Sequence, residues 1–101
     1  MNAIEKVSDI TYQDIADYLR LETPLTQDEI NTLNTLITVS KTYIKEYTGR
    51  TDEELDTFSD LVIVMLILCQ DMWDNRALYV DKSNLNHVVE SILSLHAVNL
   101  L

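Results

Sequence analysis

Apolar residues recur at helical spacing in four stretches of the chain, and polar segments separate these stretches. The first stretch covers 11–21, where Thr11 and Asp14 have the spacing of a capping box. Pro24 ends it, since the residue before a proline disfavours helical geometry. The pattern predicts a short first helix, preceded by a loosely held N-terminal arm at residues 1–10.

The second stretch, 26–48, is the longest and opens with a second capping-box pair, Thr26 and Glu29. Gly49, the only glycine of the chain, follows it, at the place where a left-handed residue ends many helices. The pattern therefore predicts a long helix with one broad buried face. That predicted face consists of Ile30, Leu33, Leu36, Ile37, Val39, Tyr43, Ile44 and Tyr47.

The third stretch contains nine apolar residues in a row, Leu61–Cys69. Strand and helix are both compatible with so short a run. Met65 and Cys69 within the run and Met72 beyond it are spaced as in a helix. The chain also offers no partner strand. As a helix the run would extend only about 14 Å, half of a ~30 Å hydrocarbon core. We therefore predict a buried helix over 59–76, not a membrane span.

Shorter signals complete the predicted architecture. Thr51 and Glu54 fit a capping box for a short extra turn at 52–57, and a bend near Phe58 would follow. Ser59 is the predicted cap of the third main helix, and Ser83 that of a last helix at 83–96. The predicted buried face of the last helix consists of Leu85, Val88, Val89, Ile92 and Leu93. The prediction is a single all-α domain over 1–101, a small bundle of four main helices with a C-terminal tail at 97–101.

Charge and composition narrow the classes of function. The net charge is −10, with one cysteine, one glycine and one proline among 101 residues. Binding to nucleic-acid phosphates depends on lysine and arginine, so this balance argues against a DNA-binding surface, and it disfavours anionic membranes. Cys69, alone in the chain and inside the apolar run, is predicted to be a core residue. The N-terminus shows no pattern of a secretion signal, and we expect a reducing compartment.

The chain offers few residues for catalysis or ligand binding. His87 and His96 are nine positions apart, which places them on different faces of one helix as predicted surface histidines. Asp71 and Asp74 share a face near a helix end, where solvated carboxylates are the simpler interpretation. We predict no catalytic residue, no cofactor and no metal ligand. Tyr43 and Tyr47 are assigned to the core by the periodicity, whereas Trp73 and Tyr79 are candidates for an interface.

The order of these segments resembles a known family. The chain contains "ITYQDIADYLRL", then "YIKEYTGR", an acidic turn, "DMWDNRAL" and "VVESILSLH". This order is similar to that of the small head–tail connector proteins, the DNA-packaging adaptors of tailed phages and prophages. The most specific parts are Gly49 and Arg50, which end the second main helix, and Asn75 and Arg76, which end the third.

The resemblance implies a structural virion protein without catalytic activity. Its subunits would form a ring under the portal protein, dodecameric in the virion and either monomeric or assembled with concentration in isolation. The ring would extend the DNA channel and dock a stopper or tail protein. DNA would pass through without specific binding, and assembly would take place in the host cytoplasm. Candidate interface residues are Trp73, Arg76, Tyr79, Leu100 and Leu101. Candidate channel acids are Asp52, Glu53, Glu54, Asp56, Asp71 and Asp74.

Two other classes of function compete with the connector. An acidic monomer could mimic DNA and inhibit a nucleic-acid enzyme, which would need acids at phosphate-like spacing along one long face. The acids of this sequence cluster instead at predicted helix ends. A small enzyme ranks third, because no nucleophile-and-base pair supports it.

Overall fold

A computed structural model describes residues 4–98, and every regular element in that range is helical. The α-helices are α1 (Tyr12–Leu19), α2 (Gln27–Thr48), α3 (Asp52–Leu55), α4 (Leu61–Asn75) and α5 (His87–His96). Two single 3-10 turns, Val7–Asp9 and Lys82–Asn84, precede α1 and α5. The predicted all-α bundle with four main helices and a short extra turn is confirmed.

Capping boxes start the first three α-helices, as predicted. In each, the threonine hydroxyl accepts a hydrogen bond from the backbone N–H three residues on, and the acid of that residue accepts from the threonine N–H. These bonds satisfy donors that would otherwise be left open in the first turn. The pairs are Thr11 with Asp14, Thr26 with Glu29, and Thr51 with Glu54.

Three of the α-helices, α1, α2 and α4, are followed directly by a residue in the left-handed conformation. These residues are Arg20 (φ 58°), Gly49 (φ 70°) and Arg76 (φ 51°). The predicted role of Gly49 as the residue that ends α2 is confirmed, and its N–H donates to the Lys45 carbonyl. At Arg76 the conformation is uncommon for a residue with a side chain. It ends α4, and residues 78–80 then line a cavity together with α2.

The caps predicted for α4 and α5 are wrong. Asp60, not Ser59, occupies the cap position of α4, and its side chain makes no capping bond. α5 begins four residues after Ser83, and Asn86 Oδ1 accepts from the N–H groups of Val88 and Val89. Ser83 instead lies inside the preceding 3-10 turn, where Asp81 caps it. An asparagine directly before the first helical residue outcompetes a more distant serine, because a cap must reach the second or third N–H of the helix.

Helix α4 lies at the centre of the core and packs against α1, α2 and α5. Its buried residues are Leu61, Val62, Val64, Met65, Leu68, Cys69 and Met72. Ile63, on the opposite side of the helix, is 49% exposed. The helix is therefore apolar on all sides at its start, as predicted, but its neighbours within the chain cover only part of it.

The buried face of α2 is rotated relative to the predicted one. It consists of Leu33, Leu36, Ser40, Ile44 and Thr48. Tyr47, predicted to be a core residue, is 37% exposed, and its hydroxyl pairs with that of Ser94 on α5. Thr48 is buried in its place, since its hydroxyl donates to the Ile44 carbonyl of the same helix over 2.7 Å. A threonine satisfied in this way carries no unpaired donor into the core.

The N-terminal arm is not loosely held over its described second half. Val7 and Ile10 are both buried, at 2% and 7% exposure. The Asp56 carboxylate accepts from the backbone N–H and the hydroxyl of Ser8, over 3.0 and 2.7 Å. A single 3-10 turn places both apolar side chains on the inside, which the sequence pattern of so short a segment could not reveal. In the predicted tail, the N–H of Val98 donates to the Thr48 carbonyl over 2.8 Å.

Replacing Gly49 with valine should destabilise the protein by about 1 kcal/mol or more, because a β-branched residue resists a positive φ. A Cβ at this position would meet only the Cβ of Val98, at an ordinary 3.9 Å, so backbone strain and not collision is the expected cause. Gly49→Asn is the control, since asparagine tolerates the left-handed region and should retain most of the stability. Urea unfolding of the three proteins measures the difference, and equal midpoints for valine and glycine would contradict the assignment.

Candidate interaction surfaces

Over residues 4–98, no group of three or more His, Cys, Asp or Glu side chains could hold a metal ion. Within the same range, no helix is long and apolar enough to cross a membrane. Cys69 is fully buried beside the Ser40 hydroxyl, and burial raises the pKa of its thiol to about 11. The thiol is therefore neutral at pH 7 and packs as a core residue.

His96 is not the surface histidine that the sequence suggested. Its ring stacks on Phe58, with 4.0 Å between the ring centroids, and its Nε2 lies 2.8 Å from the Asp60 carboxylate. Its side chain is only 14% exposed. The Arg50 guanidinium lies over the same Phe58 ring, and Arg50 Nε donates to the His96 carbonyl. We call these four residues, Arg50, Phe58, Asp60 and His96, the clasp; it joins the end of α2, the start of α4 and the end of α5.

Three of the four candidate channel acids around α3 have partners inside the molecule. Asp52 lies 3.5 and 3.4 Å from the ammonium groups of Lys41 and Lys45. The pKa of Glu54 is lowered, mainly because its carboxylate accepts from the Thr51 backbone N–H. The pKa of Asp56 is lowered, mainly by the hydrogen bond from the Ser8 hydroxyl. Glu53 is exposed in the first turn of α3, so it alone of the four retains the character of a free surface acid.

The other two candidate channel acids, Asp71 and Asp74, are exposed near the end of α4. The pKa of Asp71 is raised, first by partial burial and then by the neighbouring Asp74 charge. Both carboxylates lie near the negative end of the helix dipole, where a positive charge would be preferred. A cation from outside the subunit would therefore relieve a local excess of negative charge.

One exposed apolar surface lies where α4 ends. We define the α4-end surface as Trp73, Arg76, Leu78 and Tyr79; Leu78 and Tyr79 are 59% and 68% exposed. Trp73 and Arg76 line an open cavity of about 490 Å³ together with the first turns of α2. Leu78 lines this cavity and also a second one of about 280 Å³, which Tyr79 lines with the middle of α2. The structure thus brings the predicted interface residues Trp73, Arg76 and Tyr79 into one surface.

A second exposed apolar surface runs along α4 and α5. We define the α4–α5 stripe as Ile63, Ile67, Val88, Ile92 and Leu95; Ile63, Val88 and Leu95 are 49%, 52% and 74% exposed, and the other two are half-buried. Val88 was predicted to face the core, but Val89 and Leu93 alone of the α5 residues are buried. The sequence of the last helix contains apolar residues on two adjacent flanks. Periodicity alone did not show which flank is buried and which is exposed.

Comparison with known proteins adds no assignment to these surfaces. No protein-family model, no curated protein and no solved structure matches the chain. The class of molecule defined here is a small all-α bundle with two exposed apolar surfaces. Of the residues predicted for an interface, Leu100 and Leu101 lie outside the described residues.

Replacing Asp71 with asparagine should stabilise the protein at neutral pH. The pKa of Asp71 is raised in the folded state, so folding disfavours its charged form, and removal of the charge removes that cost. The gain should be complete above the raised folded pKa. It should disappear as the pH falls below the ordinary range of an aspartate, where both states are protonated. Melting temperatures of the two proteins across acid and neutral pH measure the effect; a gain that persists in acid would point to another cause.

Replacing Asp60 with alanine should destabilise the protein by about 1–2 kcal/mol, because Nε2 of the mostly buried His96 loses its carboxylate partner. Asp74→Ala is the matched control, as Asp74 is exposed and its removal should cost little or raise stability. Thermal unfolding at neutral pH compares the three proteins. Equal losses for both variants would show that the clasp contributes nothing specific.

Proposed function

We propose that this chain is a structural subunit of a virion, a head–tail connector that assembles into a ring under the portal of a tailed phage or prophage. The ring would extend the DNA channel and dock a stopper or tail protein, after assembly in the host cytoplasm. The observation that carries the proposal is the presence of two separate exposed apolar surfaces on one small bundle. The order of helices and of the segments "YIKEYTGR" and "DMWDNRAL" adds the resemblance to connector proteins.

A ring explains why one small subunit would need two apolar surfaces. Head-to-tail contacts between copies use two different patches on each subunit, and they close into a ring when the rotation between neighbours divides the circle. Contiguous apolar patches on soluble monomers commonly mark interaction sites. The α4-end surface and the α4–α5 stripe involve different residues of the subunit, as head-to-tail contacts require.

The negative charge of the chain is compatible with a channel for DNA. Phosphates crossing a ring lined by carboxylates are repelled and find no sticky site, because attraction to DNA depends on cations. Among the acids predicted to face the channel, the exposed Glu53 is the best candidate, because Asp71 and Asp74 lie at the end of α4, where a neighbouring subunit can supply a cation. The other predicted channel acids already have partners within the subunit, and these contacts stabilise its fold. They are Asp52, Glu54 and Asp56.

The alternative, an acidic mimic of DNA, has less support from the positions of the acids. Asp14, Glu29 and Glu54 are bound in capping boxes, and Asp60 is bound in the clasp. Carboxylates placed where helix caps need them do not form a phosphate-like row along one face. A mimic would bind a basic nucleic-acid enzyme tightly at low salt and lose it at high salt.

The connector proposal predicts rings and a place in the virion. Electron microscopy and native mass spectrometry of the purified protein, alone and mixed with the portal protein encoded beside it, should show a closed ring of uniform subunit number. Mass spectrometry of purified virions should find the chain, and deletion of its reading frame should leave heads without tails. Normal tailed virions from the deletion strain would reject the proposal. Salt-sensitive capture of a basic nucleic-acid enzyme by a persistent monomer would support the mimic instead.

A further inference from the structure

We propose that the α4-end surface of one copy docks on the α4–α5 stripe of the next, with Arg76 of the first copy placed between Asp71 and Asp74 of the second. The pairing deepens the proposed ring and rests on it, since only a head-to-tail assembly uses two different surfaces of each subunit. It identifies the residues of that contact, and the argument starts from the geometry of α4 and α5.

The stripe follows the line along which α4 and α5 lie side by side. At one end of this line the Asp60 carboxylate contacts His96, the last residue of α5. At the other end Asp71 lines an open cavity of about 400 Å³ together with Leu85 and Asn86, just before α5 begins. The two helices are therefore antiparallel. Ile63 and Ile67 lie on the same row of α4 as Asp60 and Asp71, because the successive spacings are three, four and four residues.

The flank of α5 that belongs to the stripe faces away from α2. Ser94 pairs with Tyr47 of α2, which identifies the flank of α5 that lies toward that helix. Val88, Ile92 and Leu95 are spaced four and three residues apart and lie on the other flank. With Ile63 and Ile67 on the neighbouring helix α4, they make up the uncharged stripe, which no described segment of the chain covers fully.

Charge selects this strip as a place where two copies can meet. Each copy carries a net charge of −10, so most contacts between copies would bring carboxylates together. The five members of the α4–α5 stripe carry no charge. The row of Ile63 and Ile67 leads at one end to Asp71 and Asp74 and at the other to Asp60, whose carboxylate already contacts His96. The acids at the α4 end of the stripe are therefore the ones that a cation of another copy can meet.

The segment after α4 complements the stripe, because along it a positive charge is followed by apolar side chains. Arg76 is exposed and lines a cavity with Asp28 and Glu29 of α2, but among residues 4–98 the ion pairs within 4.0 Å involve other cations. Leu78 and Tyr79, two exposed apolar side chains, follow within three residues. A cation followed by two apolar side chains matches an acidic end followed by an apolar strip. A second copy of this chain therefore fits the stripe better than a basic partner, whose charges would lie against isoleucine and leucine over most of its length.

The test blocks each surface separately and then mixes the blocked proteins. Leu95→Glu places a charge on the stripe, and Leu78→Glu places one on the α4-end surface. Both side chains are more than half exposed, so both variants should fold, as circular dichroism and melting temperature will verify. Asn34→Glu is the matched control, since it adds the same charge at an exposed position of α2 outside both surfaces. Sedimentation velocity over a wide concentration range gives the oligomeric state of each protein.

We expect the wild type and Asn34→Glu to self-associate with concentration and each blocked variant to remain monomeric. An equimolar mixture of Leu95→Glu and Leu78→Glu should form heterodimers and nothing larger, because each protein retains one intact surface and the two surfaces differ. A charge reversal adds a check on the ionic contact: Arg76→Glu should weaken assembly at least tenfold, and combination with Asp71→Arg and Asp74→Arg should restore it.

Three results would overturn the pairing: a wild type that stays monomeric at every concentration, blocked variants that associate like the wild type, or a mixture that remains monomeric. None of these decides the proposed function, which the virion and deletion experiments test independently. Rings formed by the blocked variants on the portal would retain the connector and reject this contact.

Discussion

Incomplete burial of α4 is the constraint on which the rest of the structure depends. Its sequence is apolar on every side over Leu61–Cys69, and each buried side chain of this size contributes about 1.5–3 kcal/mol of hydrophobic stabilisation. Among residues 4–98, α1, α2, α5 and the 3-10 turn Val7–Asp9 pack against it. The buried side of α4 forms the middle of the core, and the row of α4 residues through Ile63 remains at the surface. The exposed row of this apolar helix is the physical reason for proposing that the bundle has neighbours.

Polar contacts fix the angles at which the helices meet, which the apolar core alone would leave loosely defined. The clasp holds the ends of α2 and α5 against the start of α4 through a stack, a cation–π contact and a carboxylate–imidazole contact. Ser8 and Asp56 similarly attach the N-terminal segment to the short helix α3. These contacts lie at one end of α4, and the α4-end surface lies at the other. The arrangement leaves the second end of the helix free for contacts with other molecules.

The acids of this protein serve two different purposes. Those at helix starts, such as Glu29 and Glu54, satisfy backbone donors and stabilise the helices whatever the function. Asp71 and Asp74 lie near the end of α4, where the helix dipole disfavours negative charge. They therefore lower the stability of the isolated folded chain. Residues that lower the stability of the isolated chain are candidates for contacts with another molecule.

The sequence by itself determined the helical class, the order of the helices, three capping boxes and the left-handed Gly49, because these features depend on residues within one or two turns of each other. It also placed Trp73, Arg76 and Tyr79 near one another, since they follow closely along the chain. Tertiary structure decided the rest. The partner of His96 is Asp60, 36 residues away, and the exposed flank of α5 depends on the angle at which that helix meets α4. Likewise Thr48 replaced Tyr47 in the core, and Val7 and Ile10 joined it. Periodicity identifies an apolar side of a helix, but the rotation of each helix about its axis is set by the packing of all helices at once, and no local pattern contains that information.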